Sequence, residues 1–358
     1  MKQYLHTHKW QLIAAFIAIA LIFMGWMPHE SAVGLAPIFA LSTSAFPINP
    51  ALSAIAIGYR NPDVNLIADR VLPRLSTPQK FTYTVYNAIQ GYTVPNTRVG
   101  RKSEPTMVDF GGVMQNSETV DWGLSDLIPN LDIAAFEAMP KPAQGGPLSP
   151  QAISTMMLTG LVELDREVRV ANLVFNTANY AAGNQATLSG TAQWSDYANS
   201  NPLSALLAAL DSTLIRPNKL VLGQQAWTTL RQHPKLVNAI FKTPQNSGSV
   251  PKEALAELLE IDEVIVGTGF VNTARKGQTA SYVRVWGKNA ALLSVSLQAA
   301  QAMQPTFGFT AQFGTKIATT QPETKAGLRG GERLTVGESV QEVITCTDAG
   351  YYFQNAVV

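Results

Sequence analysis

An α+β fold is what the sequence predicts, and three observations carry that prediction. Residues 81–86, Phe-Thr-Tyr-Thr-Val-Tyr, alternate apolar and polar side chains with the period of a half-buried strand. From Ser149 onward, apolar or small residues recur every three or four positions, the spacing of one helical face. Helix-like and strand-like segments then follow one another without a regular βαβ rhythm, which argues against an α/β sheet.

The 358 residues suffice for two domains or one elaborated domain. Hydrophobic residues make up 46% and charged residues only 14%, below the roughly 25% usual for soluble domains. Two readings account for this. Much of the surface is buried against other subunits, since obligate interfaces resemble a core cut in half; or an apolar N-terminus and many uncharged polar residues dilute the charge. A net charge of +1 argues against a dedicated nucleic-acid binder, which carries a basic domain or stripe. The single cysteine, Cys346, excludes an internal disulfide and fits a reducing compartment.

The segment 1–45 reads as an apolar leader or pro-segment. Between Lys9 and His29 it is uncharged, and 12–27 (LIAAFIAIALIFMGWM) is almost wholly apolar behind Lys2 and Lys9. That pattern suits a signal peptide or a short membrane anchor. It also suits a pro-piece removed in maturation, with small residues at 40–45 as the processing site, or a start at Met24 or Met27.

Residues 46–75 follow as an extended arm with one short helix, punctuated by Pro47, Pro50, Pro62 and Pro73. Residues 80–123 read as a long two-stranded excursion with turn signals at Pro95-Asn96 and Gly111-Gly112. A lone hairpin is marginal in water, so the excursion needs something to lie on. The clearest helix starts at Ser149-Pro150, a favoured N-cap and first position, and runs to about Ala178. Its apolar face is Ile153, Met156, Gly160, Leu164, Val168, Ala171 and Phe175; Asp165 and Arg169 pair on its polar side. Helices are expected at 202–214, 224–231, 234–241 and 252–260. Strands are expected at 219–222, 263–266, 340–345 and 351–353, with 282–286 and 290–295 as a pair turning at 287–289.

Chemistry-bearing constellations are scarce. No Walker A loop, dinucleotide glycine pattern or HExxH occurs, and Gly267-Thr-Gly269 reads as a simple turn. Of the four histidines, His6, His8 and His29 lie in the leader. His233, before Pro234, reads as a surface or capping residue, and no GxSxG elbow accompanies it. Cys346 reads as an inert buried thiol. The acidic cluster Glu257, Glu260, Asp262 and Glu263 matches no calcium loop. These features predict no enzyme, no cofactor and no metal. Two charged stretches remain as contact candidates: Arg98, Arg101, Lys102 and Glu104 on the excursion, and Glu163, Asp165 and Glu167 on the helix. Each also has a bland reading, a solvated loop tip and a solvated face balanced by Arg166 and Arg169.

The order of parts resembles the major capsid proteins of tailed bacteriophages, with the Hong Kong 97 fold. The matching stretches are an N-terminal arm at 49–75, an extended loop at 79–122 and a spine helix at 149–180. Phrases such as IADRVLPRLSTPQKFTYTVY (67–86), TRVGRKSEPTMVDF (97–110), RPNKLVLGQQAWTTLRQHPKLVNAI (216–240) and ALAELLEIDEVIVGTGFVNTA (254–274) are similar to capsid sequence. The resemblance covers 49–358. It implies an arm at 46–75, an extended β loop at 76–125, a peripheral domain at 126–214 with its spine helix at about 149–178, an axial domain at 215–300 and return strands at 301–358. It also implies self-assembly into pentamers and hexamers of an icosahedral shell. Expected partners are portal, scaffold or head protease, and packaged DNA on the inner face, with a virion location and assembly in the host cytoplasm. The leader departs from the pattern; contact of 11–27 with the inner membrane during assembly would account for it. The competing readings are an exported or membrane-anchored periplasmic binding protein and an encapsulin-like nanocompartment shell.

Overall fold

In a computed structural model of the chain, the described residues are 48–60, 66–86, 94–108, 112–139, 148–241, 248–275, 277–301 and 304–358. The leader, including His6, His8 and His29, lies outside them.

Asn49 opens the first helix of the described residues, α1 (Pro50–Gly58), its side chain accepting from the Ala51 and Leu52 N–H groups at 3.1 and 3.2 Å. A single turn, α2 (Ala68–Val71), leads into β1 (Arg74–Ser76). Next come β2 (Lys80–Val85) and β3 (Val113–Glu118), an antiparallel pair running from Lys80 opposite Glu118 to Val85 opposite Val113. β4 (Val120–Pro129) passes directly into α3 (Asn130–Glu137).

The long helix α4 spans Pro150–Val174, 25 residues, capped by the Ser149 hydroxyl on the Ala152 N–H at 3.2 Å. It is about 38 Å long at 1.5 Å per residue and stops four residues before the sequence-based limit. Phe175 leaves helical geometry, and the last carbonyls find partners instead: Asn179 Nδ2 donates to Leu173 O and the Tyr180 hydroxyl to Val174 O, both at 2.7 Å.

Beyond it lie β5 (Gln185–Thr187), α5 (Pro202–Ser212), β6 (Lys219–Gly223), α6 (Gln224–Leu230), α7 (Pro234–Phe241) and α8 (Lys252–Leu259). The chain continues through β7 (Glu263–Gly267), β8 (Phe270–Asn272), β9 (Tyr282–Arg284), β10 (Ala290–Leu293) and α9 (Leu297–Gln301). It closes with two long strands, β11 (Gly308–Glu323) and β12 (Gly331–Ile344), and β13 (Gly350–Gln354).

Two sheets organise the core. One has the order β1-β11-β12-β4, the other β5-β13-β10-β6-β7; β2-β3 and β8-β9 are separate two-stranded ribbons. The five-stranded sheet is buried on both faces, and its period of two divides its residues between them. Leu220, Leu222, Val264, Val266, Leu292 and Phe353 pack against α5, α6, α7 and α8. Val221, Ile265, Leu293 and Tyr352 face Val170, Val174, Trp286 and Phe307. The first half of α4 instead places Leu158 beside Leu52 of α1 and Leu334 and Val336 of the four-stranded sheet. One helix therefore contributes to the packing of both sheets.

Two expectations are corrected here. β9 does not pair with β10: it pairs with β8, while β10, buried along its whole length, takes β6 and β13 as neighbours. A strand with no exposed residue needs a partner on each edge, which a simple hairpin does not supply. The buried face of α4 is also turned from the expected one. It consists of Ala152, Ser154, Thr155, Leu158, Thr159, Val162, Arg166, Glu167, Val170, Ala171 and Val174, so of the expected face only Ala171 is buried, and Ile153 is exposed. Thr155 and Thr159 enter the interior because their hydroxyls donate to the carbonyls four residues back, Gln151 and Thr155, at 2.7 Å each.

Candidate assembly surface and its buried charge cluster

Arg98, Arg101, Lys102 and Glu104 all lie in 94–108, the part of the β2–β3 connection that is described. Every residue of this segment is exposed, Val94 and Met107 to 89% and 95%. Its order is local: Asn96 Oδ1 accepts from the Arg98 N–H, and the Thr106 hydroxyl donates to Asn96 O, both at 3.1 Å. The ribbon beneath it is tied by the Thr82 hydroxyl to Asn116 Oδ1 at 2.9 Å and by the Tyr83 hydroxyl to Gln115 Oε1 at 2.8 Å. Phe81 anchors the base in a cluster with Phe309, Ala311 and Val343. Further out on β3, Val113 and Met114 are exposed. The ribbon is held to its own subunit at both ends, by Phe81 at the base and by Tyr86 N donating to Thr345 O at 2.9 Å just beyond β2, and Arg98, Arg101 and Lys102 form no ion pair among the described residues.

The three acidic residues of α4 have different fates. Asp165 is exposed and pairs with Arg169 one turn on. Glu163 accepts from Lys316 and, at 3.2 Å, from Arg60. Glu167 is not on a polar face, and the expectation that it meets a neighbouring subunit is corrected. It is completely buried and accepts from Ile67 N at 2.9 Å, Ala68 N at 2.8 Å and Trp286 Nε1 at 2.6 Å. Burial pushes its carboxyl above the usual range, against the pull of those hydrogen bonds and Arg166.

Beside it runs a cluster of charges that sequence reading missed. Arg166, buried, pairs with Asp69 and lies 3.6 Å from Glu342; its Nη2 donates to Thr310 Oγ1 at 3.0 Å. Arg74 joins Asp69 and Glu338, each at 2.6 Å. Arg169 reaches Glu342 at 3.2 Å and stacks its guanidinium 3.8 Å above the Trp122 ring. Burial raises the Asp69 carboxyl, but Arg166 and Arg74 outweigh it and hold the group at about 2. The cluster pins β1, at the root of the ribbon, to α4 and β12. Its local signal misled: Arg166 and Arg169 read as surface residues balanced by the acids around them on α4, whereas the partners that bury them, Asp69 and Glu342, are far away in sequence.

The remaining polar candidates resolve into structural roles. His233 is buried, not at the surface, although it does cap α7: its Nδ1 accepts from Lys235 N at 3.3 Å. Its Nε2 lies 3.0 Å from Ser200 Oγ, but that hydroxyl already donates to Asp196 O at 2.6 Å. The imidazole therefore donates to Ser200 and cannot withdraw its proton, so the pair does not form an activated nucleophile. Glu260 pairs with Arg216, Glu263 with Arg70, and Asp262 accepts from Asn218. No cluster of metal-ligating side chains occurs among the described residues. Cys346 is buried, and burial pushes its thiol upward.

A long helix laid across two sheets, with a ribbon whose basic segment has no ion pair among the described residues, defines a shell-building subunit with the Hong Kong 97 capsid fold. The capsid structure of cyanophage P-SCSP1u shares that fold, with a TM-score of 0.52 at 10% identity over 92% of this chain and 96% of that one. A phage-related protein from Bordetella bronchiseptica RB50 superposes with a TM-score of 0.65 at 25% identity, over 87% of this chain and 98% of the other. The major capsid protein of Pseudomonas phage JBD67 is 46% identical over 318 residues, 88% of this chain and 99% of that protein. The major capsid protein of Burkholderia phage BcepMu is 31% identical over 172 residues, 46% of this chain and 53% of its own length. No family profile matches. The chain belongs to the major capsid proteins of bacteriophages.

Proposed function

We propose that copies of this chain self-assemble into pentamers and hexamers that close an icosahedral phage head around double-stranded DNA. The observation that carries the reading is the β2–β3 ribbon, fixed to its own subunit by Phe81 and Tyr86 and bearing a basic segment, 94–108, that is exposed throughout and has no ion pair among the described residues. An extended segment of this kind gains stability on a neighbour. In a closed shell, interlocking arms and loops spread stability over many modest contacts.

Within this reading, 46–75 is the arm, 76–125 the extended loop, 126–214 the peripheral domain, 215–300 the axial domain and 301–358 the return strands. Arg98, Arg101, Lys102 and Glu104 are the loop's contact residues, and Asp165 is the acid of α4 most open to a neighbour; Glu163 is largely engaged within its own subunit. The role is structural and not enzymatic. Portal, scaffold or head protease act during assembly, packaged DNA meets the inner face without sequence specificity, and the mature location is the virion. Assembly takes place in the host cytoplasm, with 1–45 removed in maturation or touching the inner membrane through 11–27.

Electron microscopy of the full chain and of a chain lacking 1–45, with mass spectrometry of the particles, tests the proposal. Closed shells of uniform size are expected, and the N-terminus in the particles locates any cleavage. A monodisperse monomer, even with portal and scaffold co-expressed, overturns it.

A further inference from the structure

We infer that the turn between β11 and β12 of one copy docks onto α3 of a second copy, a specific contact that rests on the shell-building reading above. Strand pairing runs to Glu323 opposite Gly331, so 324–330 is a tight tip at the end of two long strands. Gly327 and Gly330 hold positive φ there, at 56° and 70°. The tip is fixed to the head of α3: Asn130 N donates to Gly330 O at 3.1 Å, and Asn130 Nδ2 to Arg329 O at 2.9 Å. On this preorganised tip Leu328 is fully exposed, at 102%. Lys325 and Arg329 flank it, and neither side chain has a partner among the described residues. An apolar knob between two cations has no stabilising role inside its own subunit.

The second half of the contact is α3. None of its residues is buried, although the segment is rich in apolar side chains, and Leu131 and the following Met139 are 58% and 53% exposed. Ile133 packs against the core shared by α1, α4 and the four-stranded sheet and holds the helix in place, while Leu131 and Met139 stay exposed on its outer side. Its charges are acidic: Asp132 and Glu137, both exposed and without partners among the described residues. Leu328, flanked by two cations, therefore matches a helix end whose exposed apolar residues Leu131 and Met139 stand beside two anions, Asp132 and Glu137. Tip against tip would bring like charges together, as would helix against helix, which leaves tip on helix as the complementary arrangement. Within one copy the tip meets the helix at Asn130, and neither Lys325 nor Arg329 pairs with Asp132 or Glu137, so the complement comes from a second copy.

The test compares the wild-type chain with Lys325→Glu/Arg329→Glu, Asp132→Lys/Glu137→Lys and the fourfold charge exchange, reading shell yield and subunit melting. Each double substitution is expected to lower shell yield by about tenfold or more while leaving subunit melting unchanged, and the exchange to recover most of the loss. In mixed shells, a Leu328→Cys chain and a Leu131→Cys chain are expected to form a disulfide to one another. Wild-type yield from Lys325→Glu/Arg329→Glu, no recovery in the exchange, or disulfides between two Leu328→Cys chains would overturn the inference while leaving shell formation intact. Absence of shells from the wild-type chain would instead remove the shell-building reading and this contact with it.

Discussion

The Trp286 indole donates to the Glu167 carboxylate at 2.6 Å, and that carboxylate also accepts the two backbone N–H groups that begin α2. One buried side chain of the long helix thereby holds the end of the arm and the connection between β9 and β10. A carboxylate is suited to this because it is an acceptor only, with room for several donors at once.

Removing this acceptor leaves three buried donors unsatisfied. Glu167→Ala is expected to destabilise the subunit by about 3 kcal/mol or more, and Glu167→Gln by about 2 kcal/mol, since the amide retains one acceptor oxygen. Denaturant unfolding of the subunit measures both. The pH dependence has a defined sign. Because the folded carboxyl is raised above 4.5, the native state holds its proton longer, and stability falls as pH rises from 4.5 through the folded value. Glu167→Gln should lose that component, and an unaltered profile would contradict the burial argument.

Asp69 has the opposite sign. Its folded value of about 2 lies below the ordinary 3.8, so its contribution is complete above 3.8 and disappears as pH falls through about 2. Its side chain is 45% exposed, so solvent screening reduces the contribution to about 1 kcal/mol. Asp69→Asn should therefore flatten the acid limb of stability against pH between about 2 and 4. Melting temperatures across that range provide the comparison; parallel curves for the two proteins would rule out the ion pairs as its source.

Gly267 ends β7 against the face of Trp286, where an added Cβ would overlap the indole Cδ1 and Cγ. Gly267→Ala should displace the ring that bonds Glu167 and cost about 3 kcal/mol, within the range for overpacking combined with a lost buried hydrogen bond. Gly183 is the control: nothing lies within 4 Å of a Cβ placed there. Gly183→Ala should change stability by about 0.5 kcal/mol or less.

The elements with local signals were legible in the sequence. Ser149-Pro150 marks the start of α4, the alternation at 81–86 marks β2, and the short apolar runs mark β6 and β7 within a residue. β11 and β12 were largely missed, for a physical reason. β11 carries a register shift between Phe313 and Ile317 with Gly314 at positive φ, which breaks its alternation. β12 places Glu338 on its buried face, where only Arg74, far away in sequence, makes a carboxylate acceptable. The same long-range pairing concealed the charge cluster and turned the buried face of α4. At the candidate contact surface, 94–108 was read as a basic excursion from its composition alone. The sorting of Glu163, Asp165 and Glu167 needed Lys316, Ile67 and Trp286, none of them near α4 in sequence.

The basic segment supports a prediction that separates assembly from folding. Arg98, Arg101 and Lys102 are exposed and form no ion pair among the described residues, so reversing them to Glu should shift subunit stability by only about 0.5 kcal/mol. If the segment meets an acidic surface on a neighbouring copy, the same change should slow shell formation severalfold at low salt. The deficit should narrow as added salt screens both the native attraction and the new repulsion. Light scattering of assembling subunits over a series of salt concentrations follows this directly. Assembly at the wild-type rate throughout would identify 98–102 as a solvated loop tip and leave the apolar residues of the ribbon, Val113 and Met114, to make the contact.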